Sequence, residues 1–192
     1  GKAIRDLQVR RDGGDLPRFR RLAIETTGLA DPVPVLATIG ADPVLRHHFR
    51  LGNVLTCVDA VNGARHLDRQ PESVKQAAVA DRILLTKTDL AEAGAVGHLL
   101  DRLHALNPAA TIIPVVGGVA DPADLFDIGL YNPATKSLDV QSWLNAETVE
   151  HHHDHGDELS RHDDSIRSFV FTLDHPISET ALNRWLEMLV AF

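Results

Sequence analysis

Short apolar runs stopped by polar or turn-forming residues alternate along this chain with longer stretches whose apolar positions recur at helical spacing. Arg21-Leu22-Ala23-Ile24 runs into Glu25 and stops at Gly28, Asn53 to Ala60 holds Val54, Leu55, Cys57 and Val58, Arg82 to Thr86 holds Ile83, Leu84 and Leu85, and Thr111 to Val116 precedes Gly117-Gly118. Runs this short and this apolar fit strands buried on both faces. Between them, Val35 to Arg50, Glu72 to Ala80 and Leu90 to Leu106 read as helices; Pro32 and Pro34 stand where the first begins, and Asn107-Pro108 stops the last. Residues 1–20, with Arg10-Arg11 and Asp12-Gly13-Gly14-Asp15, read as the end of a helix and a loop. Strand and helix in alternation predict an α/β fold, a mostly parallel sheet with helices on both faces.

That architecture also predicts where chemistry sits. Open α/β sheets bind ligands beyond the carboxyl ends of their strands, and Glu25, Asp59, and Lys87 with Asp89 all stand at such ends. Past residue 145 the pattern changes. His151, His152, His153, His155 and His162 fall within twelve residues, interleaved with Asp154, Asp157 and Glu158. Beyond them Phe169, Phe171 and Leu173 alternate as in a half-buried strand, and Ser178 opens a helix with Leu182, Trp185, Leu186 and Leu189 on one face.

Composition narrows the function classes. With 192 residues, 44% hydrophobic and 24% charged, the chain holds one full core and part of a second. A formal charge of −8 with no Lys/Arg stripe argues against a nucleic-acid partner. The single cysteine, Cys57, rules out an internal disulfide and reads as a buried, inert thiol; no apolar stretch is long enough for a membrane span or a signal peptide, so the cytoplasm is the expected compartment. His47-His48 is expected on an exposed helix face.

Four segments carry a specific resemblance: Glu25-Thr26-Thr27-Gly28-Leu29-Ala30-Asp31-Pro32, Val58-Asp59-Ala60, Lys75-Gln76-Ala77-Ala78-Val79-Ala80-Asp81-Arg82 and Thr86-Lys87-Thr88-Asp89-Leu90. Over about residues 20–192 the chain resembles the CobW family of P-loop GTPases, relatives of nickel-insertion GTPases that act in metal homeostasis, metal delivery and cobalamin biosynthesis. The resemblance implies GTP or GDP with Mg²⁺ as the ligands. Glu25 would hold Mg²⁺, directly or through water, and Gly28 would let its N–H approach a γ-phosphate and the loop move on hydrolysis. Asp89 would accept two hydrogen bonds from guanine, a donor pair that adenine lacks there, and Lys87 would lay its stem along the base. Thr86 stands where the commoner motif has Asn, which costs one base contact or replaces it with a hydroxyl. Asp59 would support Mg²⁺ or the nucleotide loops. Simpler readings stand beside these: a cap or surface charge for Glu25, a cap of the following helix for Asp89, a strand-end cap for Asp59.

No G-x-x-x-x-G-K-[ST] phosphate cradle occurs in the sequence, and neither does the family's metal-binding Cys-x-Cys-Cys motif; both are expected upstream of Gly1. The expected organisation is an incomplete GTP-binding domain over 1–145, a His/Asp-rich linker over 146–164 and the start of a small α+β C-terminal domain over 165–192. Imidazoles and carboxylates in the tract suit weak, exchangeable binding of Zn²⁺, Co²⁺ or Ni²⁺. The expected function is that of part of a chaperone coupling GTP hydrolysis to metal delivery, or to cobalamin biosynthesis, for a client metalloprotein. This piece alone is expected to bind nucleotide poorly. The alternative is a metal-binding or storage module with a vestigial nucleotide site, while an adenine-nucleotide kinase or ATPase is disfavoured by Lys87-Thr88-Asp89.

Overall fold

Three strands, β1 (Leu55–Asp59), β2 (Arg82–Thr86) and β3 (Thr111–Val115), pair in parallel in the order β1-β2-β3. The structure, a computed structural model, describes residues 1–126, 129–151 and 177–190, without the side chains of 148–151, 189 and 190. Leu55, Arg82 and Thr111 lie side by side at one end of the sheet, and Asp59, Thr86 and Val115 at the other. All three carboxyl ends are therefore flush. Pro114, which lacks an N–H, is tolerated because β3 is an outer strand among the described residues.

Each parallel step needs a crossover, and helices supply it. From β1 the chain passes through α4 (Gly63–Arg69) and α5 (Pro71–Val79) to β2, and from β2 through α6 (Ala93–Leu106) to β3. Leu67 of α4, Ala77 of α5, and Leu99 and Leu103 of α6 pack with Val58, Ile83 and Leu85 in one buried cluster. Each large aliphatic side chain so buried stabilises the fold by about 1.5–3 kcal/mol. The contact is close at Gly63, where a Cβ would stand 2.8 Å from Val58 Cγ1 and 3.0 Å from Leu99 Cδ2. A second cluster joins Val33 and Leu36, Ala78 and Val79 of α5, and Val140, with Trp143 and Leu144 packed against it. Val33 and Leu36 come from α2 (Pro32–Ala41), and Val140, Trp143 and Leu144 from α8 (Leu138–His151).

Several expectations are corrected. The run Arg21–Glu25 forms no strand: it is exposed, with Ile24 at 49%, and no ladder partner stands beside it among the described residues, so its apolar residues lack the neighbour a strand needs. The single helix expected over 35–50 is two, α2 and α3 (Pro43–His48). Pro43 holds Asp42 in extended backbone, and Asp42 Oδ1 then caps α3 by accepting from the Val44 and Leu45 N–H groups at 2.9 and 3.2 Å. Cys57 is exposed rather than buried, because the strand's alternation turns Thr56 and Val58 inward and Cys57 to the other face. Residues 146–151, expected in a linker, continue α8 as far as His151.

At the amino end, α1 (Lys2–Asp12) pairs its Arg5 with Asp42. The short α7 (Pro122–Phe126) and a 3-10 turn (Pro133–Thr135) lead to α8. The chain divides into two compact units, Gly1–Arg161 and His162–Phe192. In the second, α9 (Glu179–Val190) is capped as expected by Ser178, whose Oγ accepts from Ala181 N–H at 3.3 Å, and Trp185 is half-buried while Leu182 and Leu186 are exposed. The expected strand over 166–173 lies outside the described residues.

Candidate nucleotide site

Asp59 closes β1 at the flush edge. Its Oδ1 accepts from the Val61 and Asn62 N–H groups at 2.8 and 3.2 Å, and its Oδ2 from Asn62 Nδ2 at 3.3 Å and Lys87 Nζ at 2.7 Å. Burial works to raise the Asp59 carboxyl, but the Lys87 and Asn62 contacts and the two backbone N–H groups outweigh it and hold the pKa at about 2. Asp59 is thus an anion that caps the turn after β1 and grips the loop after β2.

That loop is built on an unusual residue. Lys87 has a φ of 58°, in the left-handed region, which costs a residue with a Cβ roughly 1–2 kcal/mol. The ion pair to Asp59 and the turn bond from Leu90 N–H to Lys87 O, 3.1 Å, hold it there. Thr86 turns its hydroxyl onto the sheet, donating to Val58 O at 3.3 Å. Asp89 sits exposed on the turn, with no hydrogen bond to a described residue; α6 starts after Glu92 without a side-chain cap, so the helix-cap reading of Asp89 does not hold. After β3, Gly117 and Gly118 take φ of 60° and 75°, which a side chain would resist.

Glu25 makes no bond to this cluster. Its carboxylate is exposed, hydrogen-bonds to no described residue, and lies near enough to Cys57 to help raise the thiol pKa, the larger cause being desolvation. Cys57 therefore stays a protonated thiol. Around Gly28 a Cβ would meet nothing within 4 Å, so its backbone borders open space. The turn it belongs to is tied to α5: Gln76 Nε2 donates to Gly28 O at 3.1 Å and Ala30 O at 2.8 Å, and Lys75 pairs with Asp31.

The structure thus brings Asp59, Thr86, Lys87 and Asp89 together at one edge, while Glu25 and Gly28 lie on a separate loop that Gln76 ties to α5. His151 ends α8, and His152, His153, His155 and His162 lie outside the described residues. Among the described residues no three His, Cys, Asp or Glu side chains converge as a metal site, and no helix is long and apolar enough to cross a membrane. His47 and His48 are exposed on α3, their rings edge to face at 4.7 Å. A cavity of about 460 Å³ between α2 and α8, bordered by Leu36, Ala37, Gly40, Leu51, Tyr131 and Leu144, has no charged lining and is remote in character from the polar edge.

Lys75, Gln76 and Asp31 lie in the segments that carry the family resemblance, but their contacts are not legible there, and nothing in the sequence marks Asn62 or Lys136. Lys136 is buried, donating from Nζ to Ala80 O at 2.8 Å and Asp81 Oδ1 at 2.7 Å, while Asp81 Oδ2 accepts from Val54 N–H at 2.9 Å. No spacing in the sequence signals that pairing across 55 positions.

The nucleotide-binding domain of the CobW/HypB/UreG family matches residues 2–114. The zinc chaperone YjiA of Escherichia coli is 31% identical over 188 residues, covering 98% of this chain and 54% of the relative. The zinc-regulated GTPase metalloprotein activator 1 of Schizosaccharomyces pombe is 29% identical over 182 residues, covering 88% and 44%. The chain spans about half the length of these relatives. Among solved structures, the crystal structure of Zn(II)-bound YjiA GTPase from E. coli superposes with a TM-score of 0.60 at 32% identity, over 73% of this chain and 46% of that one. A zinc-bound triple mutant of YjiA gives 0.58 at 35% identity, over 69% and 39%.

Proposed function

The chain belongs to the CobW/HypB/UreG nucleotide-binding family, and from that premise we propose that it forms the base-reading and phosphate-sensing parts of a GTPase that delivers a transition metal to a client protein. The observation that carries the reading is Lys87, held in left-handed backbone by Asp59 so that the turn after β2 presents Asp89 outward at the flush strand ends.

In this reading Asp89 accepts from the guanine N1–H and exocyclic amine, and Lys87 covers one face of the base with its stem. Asp59 acts through Lys87, as a positioning group. Its four hydrogen bonds leave it little capacity for a metal. Glu25, exposed and without a hydrogen-bond partner among the described residues, fits Mg²⁺, which takes one or two carboxylates and fills its other positions with water and phosphate oxygens. Bound there, Mg²⁺ would neutralise charge on the transferring phosphoryl group. Gly28, bordering open space, would offer its N–H to the γ-phosphate. The phosphate cradle would come from sequence outside these 192 residues. Water would be the acceptor of the phosphoryl group. The names of the relatives favour zinc over cobalt or nickel as cargo, and the cytoplasm is the compartment in which such a chaperone would work.

The test is base selectivity. In the protein carrying its phosphate cradle, Asp89→Ala should weaken GTP by about 10²-fold or more while leaving ATP nearly unchanged, because only guanine loses a charged acceptor. Equal loss for both nucleotides in a calorimetric titration removes Asp89 as base reader; no GTP binding by the unsubstituted protein leaves the metal-storage alternative.

A further inference from the structure

The turn Thr27–Ala30 belongs to no strand, yet it is held. Ala30 N–H donates to Thr27 O at 3.0 Å, and Gln76 of α5 places its Nε2 on two carbonyls of the turn, Gly28 O at 3.1 Å and Ala30 O at 2.8 Å. The residue before it, Lys75, pairs with Asp31 Oδ2, and Asp31 Oδ1 caps α2 by accepting from Val33 N–H at 2.9 Å. From behind, the Gln76 carbonyl accepts from Thr56 Oγ1 at 2.8 Å, and Thr56 is buried on β1 three residues before Asp59. Two consecutive side chains of α5 thus grip the loop while the carbonyl of the second is fastened to the strand that carries Asp59.

The grip marks a boundary. Residues 21–28 are exposed and make no ladder among the described residues, whereas Val33, five residues past Gly28, is 1% exposed in the core. We propose that Gln76, with Lys75, is a positioning residue of the nucleotide site: a clamp that fixes the Gly28–Asp31 end of the loop to α5, so that movement of Glu25–Thr27 with phosphate state pivots at Gly28 and is passed to β1. This rests on reading Glu25–Gly28 as the phosphate-facing loop. The residue types fit the task. A glutamine amide carries two N–H hydrogens on one nitrogen and so serves two carbonyls at once, while a glutamate of the same shape carries none and would set a charge against both oxygens. Thr56 bonds the backbone of residue 76, so it is indifferent to that exchange.

Hydrogen exchange on the nucleotide-free 192-residue chain tests the clamp directly. Gln76→Glu should speed exchange at the Ala30 and Val33 amides by about tenfold, the effect of losing two modest hydrogen bonds, and leave Ile83 and Leu85 in β2 unchanged. Lys75→Met, which keeps the stem and removes the charge, should act on the same amides less strongly. In the protein carrying its phosphate cradle, Gln76→Glu should lower kcat for GTP about tenfold with KM within about twofold, since the base-reading groups and the phosphate cradle are untouched while the loop that responds to the γ-phosphate is loosened. Unchanged exchange at Ala30 and Val33 in both variants overturns the clamp. Faster exchange at Ile83 and Leu85 as well overturns it in favour of a general role in α5 packing, and so does a rise in KM with kcat intact. Absence of GTP binding in the unsubstituted protein overturns the reading of the loop as phosphate-facing, and with it the clamp's purpose, but leaves the exchange result standing.

Discussion

Asp59 shows how much one carboxylate can organise. A strand-end acid was legible in the sequence, but its pairing with Lys87, 28 positions away, was not, because it depends on register: Asp59 lies opposite Thr86, which makes Lys87 the next residue across the edge. The pair also explains why a lysine tolerates a φ of 58°. The carboxyl pKa lies at about 2 in the fold against an ordinary 3.8, so between these values the unfolded chain takes up a proton that the folded chain refuses. Stability from this group is therefore complete above about pH 4 and is lost as pH falls toward 2. Asp59→Asn should lower stability at pH 7 and flatten the acid limb in that window, as read by urea unfolding at pH 7, 4 and 3. A variant with the same acid dependence as the unsubstituted chain would assign that limb to other carboxylates.

At the scale of elements, the sequence was most reliable where periodicity and packing agree. β2 occupies the run from Arg82 to Thr86 that its apolar residues marked, and α5 falls within a residue of its expected bounds. Legibility failed where an element depends on a distant neighbour. Arg21–Ile24 is as apolar as a strand but has no ladder among the described residues, and Cys57 shares a run with buried residues yet points the other way. Asn107 illustrates the same limit from the helix side. Read as a stop signal, it does end α6, but its buried Nδ2 also donates to the carbonyls of Ala77, Ala78 and Ala80 at 2.9, 3.0 and 2.9 Å, closing the carboxyl end of α5. Replacing it with Ala leaves those acceptors without this donor in a site that water does not reach. Asn107→Ala should destabilise the chain by about 1–3 kcal/mol, measured by chemical unfolding, and Asn107→Asp by more, since a carboxylate would face carbonyl oxygens. A loss under about 0.5 kcal/mol, the ordinary surface value, would mean that these carbonyls do not depend on Asn107; of the three, Lys136 also holds Ala80 O.

For the whole molecule, the α/β class and the polar strand edge followed from the sequence, and the matched domain, residues 2–114, ends with β3. The His-rich tract is a different kind of feature, because its composition speaks of chemistry rather than of packing. The residues that fasten α8 to the core are Val140, Trp143 and Leu144, all upstream of His151, so changing the tract removes none of the core contacts named here. If the tract captures metal, the chain should bind Zn²⁺ near neutral pH and release it as pH falls through about 6.5, where imidazoles take up protons and lose the lone pair that ligates. Substituting His151, His152, His153 and His155 with Ala should abolish most of that binding and leave the metal-free unfolding temperature within about 2 °C, a shift corresponding to under 1 kcal/mol for a chain of this size. Zinc titration and thermal unfolding of the two proteins decide it. Binding that survives the four substitutions would put the metal elsewhere, and because no three ligating side chains converge among the described residues, it would require a site that forms only when metal draws them together. A large fall in metal-free stability would instead show that the tract packs against the fold and that its histidines are structural.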